Sequence, residues 1–102
     1  METVVVALPT WEGLTGYVHQ MLCEADALDP TQVPLIRAPL MRAGRPCGMI
    51  FHIEGPRMLR TSAIWAAEEN RILFYDSTGA RHRTVRLSES PDLGVSRTAA
   101  AA

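Results

Sequence analysis

The apolar residues of this chain follow two different periods, one in each part of the sequence. Between residues 11 and 28 they recur every three or four positions, which is the period of an amphipathic helix. From residue 35 onward they alternate with polar residues, and turn-forming residues return about every ten positions, as in an antiparallel meander. The pattern therefore predicts one helix followed by a sheet.

The predicted helix begins after Pro9 and ends at Asp29-Pro30. Thr10 can cap it through its hydroxyl, and Glu12 stands in the first turn, where the helix dipole favours an anion. One apolar stripe, widened by two further residues, is expected to face the core. The stripe contains Trp11, Leu14, Val18, Met21, Ala25 and Leu28, and the two residues that widen it are Tyr17 and Leu22.

The β-branched segment from Thr3 to Leu8 suits a short first strand. Pro39 interrupts the next predicted strand, so we expect that strand at an edge of the sheet. The run from Asp76 to Gly79 is the strongest turn signal, of a form that usually carries a bulge. The strands predicted after the helix are 35–42, 47–54, 58–66, 71–76 and 80–87.

Turn lengths decide which side chains share a face, because a slip of one residue exchanges the two faces of a strand. A three-residue loop at 55–57 sets Phe51 on the same face as Trp65. A two-residue loop would instead bury the charge of Arg60 beside Phe51, so the longer loop is preferred. A two-residue turn at Glu69-Asn70 then sets Trp65 opposite Phe74 and continues the apolar face, with Asn70 in a left-handed conformation.

The expected fold is α+β, with one N-terminal helix packed on a curved antiparallel meander of four to five strands. This order of elements is similar to that of the cystatin-like roll, although no cystatin residue motif is present. Residues 1–87 are expected to form a single domain. The tail, 88–102, is rich in Ser, Pro and Ala and is expected to be disordered.

Composition narrows the class of protein further. The chain has 102 residues, 47% of them hydrophobic, and no apolar run approaches the roughly 18 residues of a membrane span. The segment at residues 3–8 lacks the basic region that precedes the apolar part of a secretory signal. Cys23 and Cys47 are too few for a disulfide framework. We expect a soluble cytoplasmic protein with reduced thiols.

Charge is unevenly distributed along the chain. All ten basic residues are arginine, which we attribute to codon bias in a GC-rich, bacterial genome. Residues 1–30 carry a net charge of −5, and residues 31–87 carry +5. Complementarity between an acidic helix and a basic sheet explains this division, and a polyanionic partner for the sheet is the alternative.

The face of the sheet opposite the helix is the predicted interaction surface. It mixes aliphatic, aromatic and basic residues, so it is either an ordinary exposed face with scattered apolar residues or a surface that a partner covers. Symmetric homodimerisation is the simplest way to bury such a patch, so a small binding or assembly module is the preferred function. The residues assigned to this surface are Ile50, His52, Arg60, Ile64, Leu73, Tyr75, Arg81 and Arg83.

Two other functions use overlapping residues. A nucleic-acid or anion binder would use the arginines for phosphate contacts and Tyr75 for stacking. A small-molecule pocket between helix and sheet would be lined by Trp11, Tyr17 or Trp65. The arginines proposed for phosphate contacts are Arg37, Arg42, Arg45, Arg57, Arg60, Arg81, Arg83 and Arg86. Those after the 76–79 turn stand beside His82 at a corner that suits an anion. The alternative is that these charges protect a terminal edge strand from pairing with other chains.

Catalytic and metal sites have little support in the sequence. His19 and Cys23 stand four apart, as two metal ligands on one helix would, but they are expected on the helix face opposite the core stripe. Cys47 is expected to point inward and His52 outward, so they do not form a nucleophile and base. No Gly-rich phosphate loop occurs. We therefore expect a protein that is not an enzyme and that binds neither cofactor nor metal.

Overall fold

A computed structural model describes residues 3–55 and 60–91. A strand, β1 (Thr3–Ala7), and a helix, α1 (Trp11–Ala25), precede five further strands. These are β2 (Ile36–Arg42), β3 (Arg45–Glu54), β4 (Arg60–Ala66), β5 (Arg71–Tyr75) and β6 (Arg81–Glu89). The α+β class and the order of elements agree with the sequence analysis.

The helix begins where its cap predicts and ends earlier than expected. The Thr10 hydroxyl accepts a hydrogen bond from the Gly13 amide at 3.0 Å. At the other end Ala27 adopts a left-handed conformation with φ 55°, and the Leu28 amide donates to the Cys23 carbonyl oxygen at 2.7 Å. This closing motif satisfies the last helical carbonyls, so α1 ends before Asp29-Pro30.

The sheet has six strands in the order β1-β6-β5-β4-β3-β2 and is mixed. Every neighbouring pair is antiparallel except β1 and β6, which run parallel. The prediction of four to five antiparallel strands was therefore wrong in strand number and in the direction of one pair. Because α1 carries the chain from one edge of the sheet to the other, β1 pairs with the last strand, β6. The similarity to a cystatin-like roll therefore concerns only the order of elements along the chain. The interrupted strand β2 is at an edge, as Pro39 predicts.

Both predicted hairpin registers were wrong by two residues. Glu54 pairs with Arg60, so five residues separate the paired positions where three were expected. Trp65 pairs with Ile72, and the expected partner Phe74 lies opposite Ala63. A shift of two leaves every side chain on its original face. The predicted division into a core face and an outer face is therefore confirmed for β3, β4 and β5.

The core lies between α1 and the sheet. Phe51, Trp65 and Phe74 are buried there, as predicted, and the Trp11 ring packs edge-on against Trp65 with centroids 5.4 Å apart. The helix face is rotated from the predicted stripe, since Ala25 is exposed. The fully buried helical residues are Leu14, Val18, Leu22 and Cys23.

The first two residues of the segment predicted to be a disordered tail, 88–102, belong to the last strand. Ser88 and Glu89 belong to β6, where Glu89 pairs with Ala7 of β1. Parallel pairing with β1 explains why the strand continues beyond residue 87. Residues 90 and 91 are described and lie outside any strand, and Pro91 is buried, whereas 92–102 lie outside the described residues.

Candidate functional site

The face of the sheet that points away from α1 is termed the outer face. Strand residues alternate between the two faces, so the neighbours of buried Phe51, Ala63 and Phe74 point outward. A line of register partners, termed the apolar row, crosses the middle of this face. Its two isoleucine side chains and its leucine side chain are half-buried. The apolar row consists of Ala38, Ile50, Ile64 and Leu73, with Thr84 as its partner on β6.

A polar row lies beside the apolar row, toward the 76–79 turn. His52, Ser62, Tyr75 and Arg81 are successive register partners across four strands. The Arg60 guanidinium donates to a Glu54 carboxylate oxygen at 3.0 Å. The Nε2 atom of His52 lies 3.6 Å from the same oxygen of Glu54. This end of the outer face thus carries both signs of charge.

Arg83 does not belong to the outer face, where it was predicted. A bulge beside the 76–79 turn makes Phe74 the partner of Arg83 and Tyr75 the partner of Arg81, so His82 has no opposite residue. The extra residue turns Arg83 to the helix side, where its guanidinium donates to the Met21 sulfur at 3.7 Å. The bulge itself was predicted, but its effect on the faces was not. The other seven predicted residues lie on the outer face.

The opposite end of the outer face carries two arginines that face each other. Arg71 on β5 and Arg86 on β6 are direct register partners. Glu69 in the β4–β5 turn forms an ion pair with Arg71. Arg71 is absent from the residues predicted for this surface, although its alternation with Leu73 and Tyr75 assigns it to the same face.

A cleft of about 430 Å³ opens on the helix side, between the end of α1 and strands β4 to β6. Burial raises the pKa of Tyr17, which lies near this region, and Glu24 raises it further while Arg83 lowers it. Trp65, one expected lining residue of a ligand pocket, is instead fully buried in the core. The lining residues are Met21, Glu24, Ala25, Asp26, Thr61, Phe74, Asp76, His82 and Arg83.

The histidine and the cysteine of the helix both have structural places, one in a hydrogen bond and the other in the core. The His19 Nε2 atom lies 2.6 Å from the Val33 carbonyl oxygen and so ties α1 to the following segment. Cys23 is fully buried, contrary to its predicted place opposite the core, because the buried helix face is rotated. Within residues 3–55 and 60–91, no group of three His, Cys, Asp or Glu side chains is placed to hold a metal ion.

Comparison with known proteins assigns neither a family nor a function to this chain. The chain matches no family model, no curated protein and no solved structure. In the described part of the chain, α1 is too short and too polar to cross a membrane.

Proposed function

We propose that this protein is a small binding and assembly module that forms a symmetric homodimer through its outer face. The single observation that carries the proposal is the apolar row. Ile50, Ile64 and Leu73 stand in register across three central strands, on the side of the sheet that does not contact α1. Two-fold homodimers are the commonest oligomers of soluble proteins, so a homodimer is the simplest way to cover such a patch.

The outer face is large enough to contribute about half of a dimer interface. Strands in a sheet lie about 4.8 Å apart, so six strands span about 24 Å. Five residues along each strand add about 17 Å, giving a flat area of about 400 Å² before the relief of side chains is counted. Stable interfaces bury about 800 Å² per partner. In the proposed dimer, side-chain relief and residues at the rim would bury the remaining half.

The charges at the rim suit a two-fold arrangement. A carboxylate lies beside an arginine at each end of the outer face, Glu54 with Arg60 at one end and Glu69 with Arg71 at the other. In an isologous interface the same surface meets itself, so each carboxylate of one copy can approach an arginine of the other. Such contacts fix orientation more than they add affinity.

We further propose that the dimer acts in the cytoplasm and is not an enzyme. Cys23 and Cys47 are free thiols, which suits a reducing compartment. Among the described residues, His19 hydrogen-bonds to a backbone carbonyl and His52 lies 3.6 Å from the Glu54 carboxylate, and neither contact involves a cysteine or hydroxyl nucleophile.

The test of the homodimer is its mass in solution. Light scattering over a concentration series should give twice the 11.2 kDa of one chain. Ile64→Thr and Leu73→Thr replace two members of the apolar row with a polar residue that keeps β propensity, so each should shift the equilibrium toward the monomer by about tenfold or more. Val4→Thr makes the same kind of change on a strand position that is 43% exposed and lies on the helix side.

Circular dichroism of all three variants separates loss of association from loss of folding. The proposal predicts folded monomers for the two outer-face variants and a dimer for Val4→Thr. A mass of 11.2 kDa for the unmodified chain at every concentration would exclude the homodimer.

A further inference from the structure

A hollow lies at the Arg71 end of the outer face, between Glu69, Arg71, Thr84 and Arg86. It has a feature that sheets normally avoid. Two guanidinium groups, of Arg71 and Arg86, stand on directly paired positions of adjacent strands. Like charges at such positions destabilise a sheet. Of these two arginines, only Arg71 has a carboxylate partner, Glu69. Arg86 forms no ion pair with any described residue, so the hollow carries an excess of positive charge.

Donors converge on this hollow from three side chains. It has a volume of about 420 Å³ and is lined by Glu69, Arg71, Thr84 and Arg86. Thr84 and Arg86 are two apart on β6, so the hydroxyl and the guanidinium project from the same face. The Nε atom of Arg71 is buried and has no hydrogen-bond acceptor among the described residues.

The hollow is held by backbone contacts. The Leu87 amide, next to Arg86, donates to the Asn70 carbonyl oxygen at 2.7 Å. Asn70 itself adopts a left-handed conformation with φ 55° and precedes β5. The turn that carries Glu69 is therefore tied to the strand that carries Arg86, and the two arginines are kept together.

We infer that this hollow binds the phosphate group of a small molecule or free phosphate. Guanidinium groups donate two parallel hydrogen bonds to an oxyanion, and a tetrahedral dianion has enough oxygens to accept from both arginines and from the Thr84 hydroxyl. The bound anion would also neutralise the repulsion between Arg71 and Arg86. Glu69 competes for the Arg71 guanidinium, which makes the affinity depend on that carboxylate. This inference does not rest on the proposed homodimer.

The experiment measures binding of inorganic phosphate to the full chain by calorimetry and by amide shifts in ¹H-¹⁵N NMR, in a phosphate-free buffer at constant ionic strength. Arg86→Gln removes a guanidinium that makes no ion pair in the described structure, so folding should be retained. It should weaken phosphate binding by about tenfold, and Thr84→Val by a few fold. Arg81→Gln makes the same charge change at the other end of the outer face and should leave the affinity within about twofold.

Glu69→Gln gives a prediction of the opposite sign. Removing its carboxylate frees the Arg71 guanidinium, so phosphate should bind a few fold more tightly. Glu68→Gln is the matched control, since it makes the same charge change in the same turn but its carboxylate contacts Arg42 instead. Its affinity for phosphate should stay close to that of the unmodified chain.

Two further ligands identify the source of the phosphate group. Phenyl phosphate represents a phosphomonoester, and a mixed-sequence single-stranded oligonucleotide represents nucleic acid. Saturable binding of phosphate or phenyl phosphate with the expected variant pattern supports the inference, and the tighter of the two names the source. Binding of the oligonucleotide alone, equal weakening by Arg81→Gln and Arg86→Gln, or no saturable binding would each overturn it. The mass of the chain is measured separately, so failure here leaves the homodimer test unaffected.

Discussion

The hydroxyl of Thr61, at the start of β4 on the helix side of the sheet, donates a hydrogen bond to the carboxylate of Asp26, the residue that caps the end of α1. Thr61 is fully buried and is the one buried polar residue of the described core. The bond joins two segments that are 35 residues apart in the chain. It fixes where the end of the helix lies over β4 and forms one wall of the cleft on that side.

Thr61→Val should destabilise the protein by about 1–2 kcal/mol, because the substitution keeps the shape of the side chain and leaves the Asp26 carboxylate without its donor. Urea unfolding followed by circular dichroism measures the change. Thr15→Val is the control, since that hydroxyl only bonds back to helical carbonyls. In an Asp26→Ala background the effect of Thr61→Val should largely disappear, and an unchanged effect there would contradict a direct interaction.

Gly48→Ala should unfold or severely destabilise the protein. A Cβ atom on Gly48 would lie 1.9 Å from the Trp65 carbonyl oxygen, and backbone atoms of the paired strand cannot move away cheaply. We expect a loss of about 3 kcal/mol or more in the free energy of unfolding. Gly16→Ala, in the helix and with no atom within 4 Å of the added carbon, should instead stabilise by about 0.5–1 kcal/mol. Equal stability of the two variants would show that β3 and β4 do not approach in this way.

The two cysteines should differ in reactivity by about tenfold or more. Cys23 is fully buried, and burial raises the pKa of its thiol, with smaller contributions from Asp26 and Asp29. A raised pKa leaves less thiolate at neutral pH, and access is blocked as well. Cys47 is only half-buried. Iodoacetamide labelling followed by peptide mass spectrometry should find Cys47 modified first, and both cysteines should react alike in denaturant.

The 76–79 turn should make a pH-dependent contribution to stability. Hydrogen bonds from the Thr78 side chain and amide, and from the Ala80 amide, lower the pKa of Asp76 below its ordinary value of 3.8. A lowered folded-state pKa means that the contribution is present above pH 3.8 and is lost as pH falls through the folded-state value. The melting temperature of Asp76→Ala should therefore lie below that of the unmodified chain at pH 7.

The difference in melting temperature should shrink as the Asp76 carboxyl protonates. Asp76→Asn keeps a side-chain oxygen that can accept the turn hydrogen bonds but cannot titrate. Its melting temperature should lie between the other two at pH 7. A constant difference between Asp76→Ala and the unmodified chain from pH 7 to pH 2.5 would contradict the assignment.

Much of the local structure could be read from the sequence because it depends on neighbouring residues. Thr10 and Glu12 located the start of the helix, and the alternation of apolar residues located the strands. The 76–79 turn has its predicted glycine at positive φ, Gly79 with φ 89°. The two faces of β3, β4 and β5 were also predicted, since alternation depends only on whether positions are odd or even and both register errors were shifts of two.

Tertiary structure decided which elements meet and at what angle. Nothing in the segment Thr3–Ala7 indicates a parallel partner 81 or 82 residues away, because strand direction follows from the course of the whole chain. The rotation of α1 that buries Cys23 depends on packing against the sheet.

The candidate sites divide in the same way. The apolar row follows from alternation and was predicted, whereas Arg83 was misplaced because one bulged residue reverses the faces. Predicting that Arg71 pairs with Arg86 requires the register between β5 and β6. The alternation of apolar residues does not fix that register, because a shift of two residues leaves the faces unchanged. Local sequence therefore determined the elements and their faces, and long-range pairing determined which charges lie together.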